Sequence, residues 1–175
     1  MYYLIRHGEP DYSKIGTKIY QGVGIDLSFL SEYGVSQIKK TAKDKRLKEA
    51  QIIISSPYTR ALHSAAILSK ELSLDIKIET DLHEWVNDKN YISLGKNNPD
   101  ISYQEFCNLN GNYPQGENRQ WESNEILKRR IIGVLNKYTE YDKVIVVSHG
   151  MLFYSIFQDH WLECGEIVEY NLEKY

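Results

Sequence analysis

Three short stretches of the chain are apolar with no polar alternation. Residues 2–5 read Tyr-Tyr-Leu-Ile, residues 51–54 read Gln-Ile-Ile-Ile, and residues 144–147 read Val-Ile-Val-Val. A continuous run of this kind predicts a strand covered on both faces, as in a parallel sheet. Ile76-Lys77-Ile78 and the segment around Ile167-Val168-Glu169-Tyr170 are weaker strand candidates. Between the runs the period changes to that of a helix. Ser31 is placed to cap a helix from about Glu32, with Val35, Ile38 and Ala42 on one face. The charged run Lys43 to Glu49 reads as its solvated end. Ser56-Pro57 predicts a second start, followed by Ala61, Leu62, Ala65, Ala66, Ser69 and Leu72 at helical spacing. A third helix is expected between Glu122 and Tyr138, and a last one from Met151 to about Trp161.

Strands alternating with helices predict an α/β fold, a three-layer αβα sandwich around a mostly parallel sheet. Residues 85–118 interrupt the rhythm with Asn, Gly, Pro99 and Pro114. They read as an insertion or lid over one sheet edge within a single domain spanning 1–175, since long loops in compact domains are often functional.

Composition narrows the function classes. A chain of 175 residues with 42% hydrophobic and 26% charged residues fits an ordinary globule that needs no staples. Two cysteines, Cys107 and Cys164, exclude a disulfide framework and cannot alone form a four-ligand zinc site. The balance of 21 basic against 24 acidic residues argues against a nucleic-acid or membrane-surface binder. Arg6 and His7 follow only five residues after the start, so no targeting segment is expected. No apolar run approaches a membrane span, and a cytoplasmic location with free thiols is the expectation. The 14 tyrosines read as half-buried rings on strands and surfaces.

The chemistry lies at the ends of the strands. Residues 2–5 lead to Arg6-His7-Gly8, and residues 144–147 lead to Ser148-His149-Gly150. In a parallel sheet, ligands bind beyond the carboxyl ends of the strands, and a glycine there lets the backbone turn close to them. A single histidine in such a place is more often structural; two at one offset, each followed by glycine, suggest a site. The third run leads through Ser55-Ser56-Pro57 to Arg60. Two arginines and two histidines converging from three strand ends suit a phosphate, because the guanidinium fork binds two oxygens at once. Neutral imidazole is a competent nucleophile toward phosphorus, so His7 could attack while Arg6, Arg60 and His149 stabilise charge. A leaving alcohol needs a proton, and Glu84 is a candidate carboxyl if its pKa is raised. His63, His83 and His160 have no comparable context and read as structural. Gln21-Gly22-Val23-Gly24 lacks the ending of a nucleotide loop.

In these motifs the chain resembles the histidine phosphatase superfamily, the phosphoglycerate mutase-like proteins. The resemblance rests on several segments in order. They are Leu4-Ile5-Arg6-His7-Gly8-Glu9, Gln21-Gly22 with Asp26 and Leu30-Ser31-Glu32-Tyr33-Gly34, Ser55-Ser56-Pro57-Tyr58-Thr59-Arg60-Ala61, Leu82-His83-Glu84, Gly116-Glu117, and Val146-Val147-Ser148-His149-Gly150. It implies His7 as the phosphorylated nucleophile, Arg6, Arg60 and His149 as phosphate ligands, and Glu84 as proton donor and then base for water. It also implies no metal and no organic cofactor. Ser13, Gln21 and Gly22 are the expected substrate-side contacts. Two departures stand out. Pro10 and Ser13 occupy positions where the family often has Thr and Asn, and Trp85-Val86-Asn87-Asp88 replaces the usual segment after the acid.

The expected activity is therefore that of a metal-independent, histidine acid phosphatase-like phosphomonoesterase acting on a small phosphorylated metabolite. Phosphoglycerate mutase-type transfer is the first rival; the 65 positions between Glu84 and His149 look short for its enclosed site. A non-catalytic phosphate-binding protein is the second. The expected partner is a small phosphorylated substrate, not a nucleic acid or a membrane. The lid residues 87–118 are the expected source of specificity. Sugar phosphates, phosphoglycerates, a cobamide-pathway nucleotide phosphate and phosphoproteins all stay open.

Overall fold

The computed structural model describes residues 1–14, 24–90 and 99–172. Its sheet has five strands: β1 (Tyr2–Arg6), β2 (Ile52–Ser55), β3 (Ile76–Ile78), β4 (Val144–Ser148) and β5 (Ile167–Tyr170). They lie in the order β3-β2-β4-β1-β5. β1, β2, β3 and β4 run parallel to one another, and β5, on the edge beside β1, is antiparallel. The register sets Arg6 opposite Ser148 and Ser55 opposite Val147, so the three central strands end level with one another.

The uninterrupted apolar runs have the predicted cause. Tyr2, Leu4, Ile52, Ile54, Val144 and Val146 face one core, and Tyr3, Ile5, Ile53, Ile145 and Val147 face the other. Both faces are covered, so neither set of alternate positions could be polar. Ile53 is fully buried, and truncating it to Ala would cost about 2–5 kcal/mol.

The helices are α1 (Gly24–Leu27), α2 (Glu32–Thr41), α3 (Thr59–Leu72), α4 (Pro99–Asn108), α5 (Asn124–Leu135) and α6 (Gly150–Tyr154). α2 and α3 contribute Ile38, Ala61, Ala65 and Leu68 to one core. α4, α5 and α6 contribute Phe106, Leu127, Ile131 and Leu152 to the other, which completes the αβα layering. Ser31 caps α2 as expected, its hydroxyl accepting from the Gly34 N–H.

Four expectations on element boundaries change. The Lys43–Glu49 run is not a helix tail. α2 stops at Thr41, and Lys45–Glu49 forms a 3₁₀ turn capped by Asp44 that buries Leu47 completely. The helix predicted at Ser56-Pro57 begins at Thr59. A residue before proline is held away from helical geometry, and Ser56 accordingly serves the loop and not the helix end. The helix expected to reach Trp161 ends at Tyr154, because the chain must turn back for the Leu162 carbonyl to reach Arg6. Part of the 85–118 stretch is regular: it holds α4, and its rings join Trp121 in an edge-to-face train, Trp85–Phe106 at 5.7 Å, Phe106–Trp121 at 5.4 Å and Tyr113–Trp121 at 4.9 Å. Both cysteines are free, and among the described residues no helix is long and apolar enough to cross a membrane.

Candidate active site

Three strand ends supply the floor of the site. The His7 N–H continues the sheet ladder to the Ser148 carbonyl at 3.0 Å, and the Ser56 N–H does so to Val147 O at 3.0 Å. These bonds carry sheet order one residue past each strand and fix where His7 and Ser56 leave it. Gly8 allows the next step. A Cβ there would come within 2.5 Å of the Gly34 carbonyl oxygen, so the turn after His7 packs directly on the start of α2. The Gly8 N–H donates to the buried Ser64 hydroxyl at 3.1 Å, and that hydroxyl donates to the Arg60 carbonyl at 2.8 Å. Ser64 thus ties the His7 turn to the α3 turn that bears Arg60.

The His7 ring is held in one tautomer. Its Nδ1 lies 2.7 Å from Gly8 O, which can only accept, so Nδ1 carries the proton. Nε2 is then left with its lone pair, toward which Arg60 Nε donates at 3.2 Å. Burial, with Arg60 and Arg6 nearby, lowers the His7 pKa to about 3 and keeps the ring neutral. This is the protonation state of a nucleophile.

His149 stands beside it, with ring centroids 5.1 Å apart. Its Nε2 lies 2.7 Å from Ser56 Oγ, which already accepts the Tyr58 N–H at 3.2 Å. Among the described residues His149 Nε2 is the acceptor in reach of the Ser56 O–H, so the proton of this neutral ring belongs on Nδ1. That Nδ1 is buried and has no partner among the described residues. Burial first, then His7 and Arg60, push the His149 pKa well below its usual value. Arg6 likewise anchors one end, its Nη1 donating to Leu162 O at 2.7 Å, while its Nε is buried and unpartnered among the described residues. The Trp161 ring lies against the Arg6 guanidinium at 5.0 Å, and the Tyr58 ring against that of Arg60 at 5.2 Å. The floor therefore presents two cations, one imidazole N–H and one imidazole lone pair, a donor set suited to a tetrahedral oxyanion.

Glu84 enters from the rim. Its Oε1 accepts the Trp85 N–H at 2.8 Å and its Oε2 the Met151 N–H at 3.4 Å, two residues beyond His149. Burial raises its pKa, against the lowering effect of those bonds and of Arg60 and Arg6. A carboxyl that retains its proton to higher pH beside two guanidinium groups has the property required of a general acid.

Of the residues singled out in the sequence, Arg6, His7, Arg60, Glu84 and His149 are brought together. Ser13 is not among them. It is exposed, and its N–H donates to Asp11 Oδ1 at 2.8 Å. Its neighbour Tyr12 is the residue whose hydroxyl feels Arg60, Glu84 and Arg6. Pro10 pairs with Leu30 in an isolated bridge. Gln21 and Gly22 lie outside the described residues. Sequence reasoning missed the contribution of Ser56, Tyr58, Ser64 and Tyr12. Ser56 stood in a quoted motif and Ser64 just beyond it, but their roles depend on bonds to residues 93 and 56 positions away. His83 was read as structural, yet its ring is 6.2 Å from Tyr58 and its Nδ1 bonds to Glu84 O at 2.7 Å. Among the described residues no group of three His, Cys, Asp or Glu side chains could hold a metal ion.

Comparison with known proteins identifies the family. Residues 2–166 match the family model of the histidine phosphatase superfamily (branch 1). A protein of Hydrogenobacter thermophilus named "Putative phosphoserine phosphatase 2" is 28% identical over 160 residues, 88% of this chain and 75% of that one. Among solved structures, the alpha-ribazole phosphatase of Shigella flexneri superposes with a TM-score of 0.66 at 19% identity, covering 95% of this chain and 87% of that one. A mycobacterial glucosyl-3-phosphoglycerate phosphatase in complex with inorganic phosphate gives 0.63 at 20% identity, covering 89% and 75%. These likenesses extend the αβα fold to proteins named as phosphatases, and the match across nearly the whole sequence makes this chain a member of the histidine phosphatase superfamily.

Proposed function

We propose that the protein is a metal-independent phosphomonoesterase that hydrolyses a small phosphorylated metabolite through a phosphohistidine on His7. The observation that carries this reading is the His7 ring itself: neutral, its Nδ1 proton committed to Gly8 O, and its Nε2 lone pair in the field of Arg60. On substrate binding, Arg60 and Arg6 donate to the equatorial phosphate oxygens, and the Nδ1–H of His149 donates to a third. His7 Nε2 forms a bond to phosphorus as the ester P–O bond breaks, and the Glu84 proton goes to the departing alkoxide. Glu84, now ionised, takes a proton from water. That water attacks phosphorus, the N–P bond breaks, and inorganic phosphate leaves with the His7 lone pair restored.

The names of the relatives support small phosphate monoesters as the substrate class. The test is phosphate release from para-nitrophenyl phosphate and a panel of sugar phosphates, nucleotides and phosphoglycerates, in chelator, beside His7→Ala. Release that the substitution abolishes is the expected outcome. Binding of phosphate without turnover of any ester by the intact chain would refute the hydrolase.

A further inference from the structure

The segment carrying Glu84 has no strand or helix to hold it: residues 83–88 form neither, and the nearest 3₁₀ turn ends at Leu82. Its backbone is instead gripped by side chains from elsewhere. Arg130, on α5, donates from Nη1 to the carbonyls of Asp81 and of His83, the latter at 3.2 Å. The same guanidinium makes a bidentate pair with Glu122, Nε to Oε1 at 2.8 Å and Nη2 to Oε2 at 2.9 Å. Glu122 then holds the other flank. Its Oε2 accepts the Val86 N–H at 3.1 Å, its own N–H donates to Val86 O at 3.1 Å, and its carbonyl accepts Trp85 Nε1–H at 2.8 Å. Between these two flanks sits Glu84, and its carboxyl is oriented by the N–H of Trp85, inside the gripped stretch.

Glu122 is 4% exposed, and the side chains of the pair are 13% and 5% exposed for Arg130 and Glu122. Burying such a pair is a poor route to stability, because desolvation offsets most of the attraction. What distinguishes this one is its hydrogen bonding: among the described residues, each side-chain bond it makes outside the pair ends on residues 81–86. We propose that Arg130 and Glu122 are positioning residues for the proton transfer, a clasp that takes the place of a sheet ladder and aims the Glu84 carboxyl at the leaving oxygen. This rests on the reading of Glu84 as the acid. Displacing a reacting group by about 1 Å can lose roughly 100-fold in rate. A lysine would not replace Arg130, since one ammonium cannot bridge two carbonyls and two carboxylate oxygens.

The experiment measures kcat/KM of the full chain on glycerol phosphate, a poor leaving group, and on para-nitrophenyl phosphate, which needs little protonation. The variants are Glu84→Gln, Arg130→Met, Arg130→Lys, Glu122→Gln and the double variant Glu84→Gln with Arg130→Met. Arg130→Met and Arg130→Lys are expected to lose about 10- to 100-fold on glycerol phosphate and several-fold less on the aryl ester. The double variant should lose no more than Glu84→Gln alone. If the arginine variants do not fold, Glu122→Gln, which preserves shape and one carbonyl-type acceptor, carries the same comparison. Equal losses on both esters, or multiplying losses in the double variant, overturn the clasp while a selective Glu84→Gln leaves the acid standing. If Glu84→Gln itself slows both esters equally, the acid assignment fails and the clasp falls with it.

Discussion

His7 and His149 leave paired strands, whereas Glu84 leaves a stretch with no ladder on either side. On the histidine side the backbone is aimed by main-chain bonds that continue the sheet, and each ring needs only one further bond, from His7 to the adjacent Gly8 carbonyl and from His149 to Ser56 at the end of the neighbouring strand. On the acid side the backbone is aimed by side chains from distant parts of the sequence, Arg130, Glu122 and Ser148, whose hydroxyl donates to Leu82 O at 2.7 Å. A sheet floor is a rigid, cooperative support. A loop clamped by a few charged side chains depends on each of them. The proposed nucleophile and phosphate ligands are thus built on the part of the fold that tolerates least change, and the proposed acid, whose placement depends on the leaving group, on the part that can differ most.

Substitutions on the two sides test that contrast. The largest effect is expected from the acid side with unactivated esters: Glu84→Gln should slow glycerol phosphate by about 10²- to 10⁴-fold and para-nitrophenyl phosphate far less. The wild-type pH profiles should differ in the same sense. As pH rises through the raised pKa of Glu84, alkyl-ester hydrolysis falls, because the acid loses its proton, while aryl-ester hydrolysis holds. Next is the histidine side, where selectivity should vanish. Arg60→Ala should lose about 10²- to 10³-fold on every ester and weaken phosphate binding as well, since it removes charge stabilisation common to all of them. Smaller again is Ser56→Ala, which frees the His149 tautomer. About 10-fold is expected, equal on both esters, from the loss of one buried hydrogen bond. A selective loss in Arg60→Ala or Ser56→Ala would dissolve the distinction between the two sides.

The smallest effect is on stability. His7 has a folded pKa of about 3 against the ordinary 6.5. Between those values the unfolded chain binds a proton that the folded chain refuses, so stability falls as pH drops through that window, by at most about 1.4 kcal/mol per pH unit for this one group. His149 is lowered for the same reason and acts in the same direction. Urea unfolding from pH 7 to pH 5 should show the wild-type midpoint falling more steeply than that of His7→Asn. Parallel slopes would mean that His7 is not held neutral.

The same contrast explains what could be read in the sequence. The strand runs, the matched His-Gly offsets and the order of the motifs are local signals, and they located Arg6, His7, Arg60 and His149 without coordinates. Glu84 was proposed from its place at the start of the irregular stretch and again from its family segment, but what holds it was not legible. Arg130 and Glu122 are 46 and 38 positions beyond it and meet it only through tertiary packing. Ser56-Pro57 was read as a helix start because Ser-Pro before a helical pattern normally begins one; α3 starts at Thr59, and the Ser56 hydroxyl is bonded to His149. Tyr12 was passed over for Ser13 because the turn at Asp11, which points the two side chains differently, leaves no periodic trace.

The central claim is that phosphate passes through His7 Nε2. It is tested most directly by rapid quenching of a single turnover into base, followed by mass spectrometry of the peptide bearing His7. The account predicts one phosphoryl group on His7, stable in base and lost in acid, that appears before free phosphate and is absent from the His7→Ala control. Full-rate phosphate release by His7→Ala, or a burst of product with the phosphoryl group on any other residue, would contradict it.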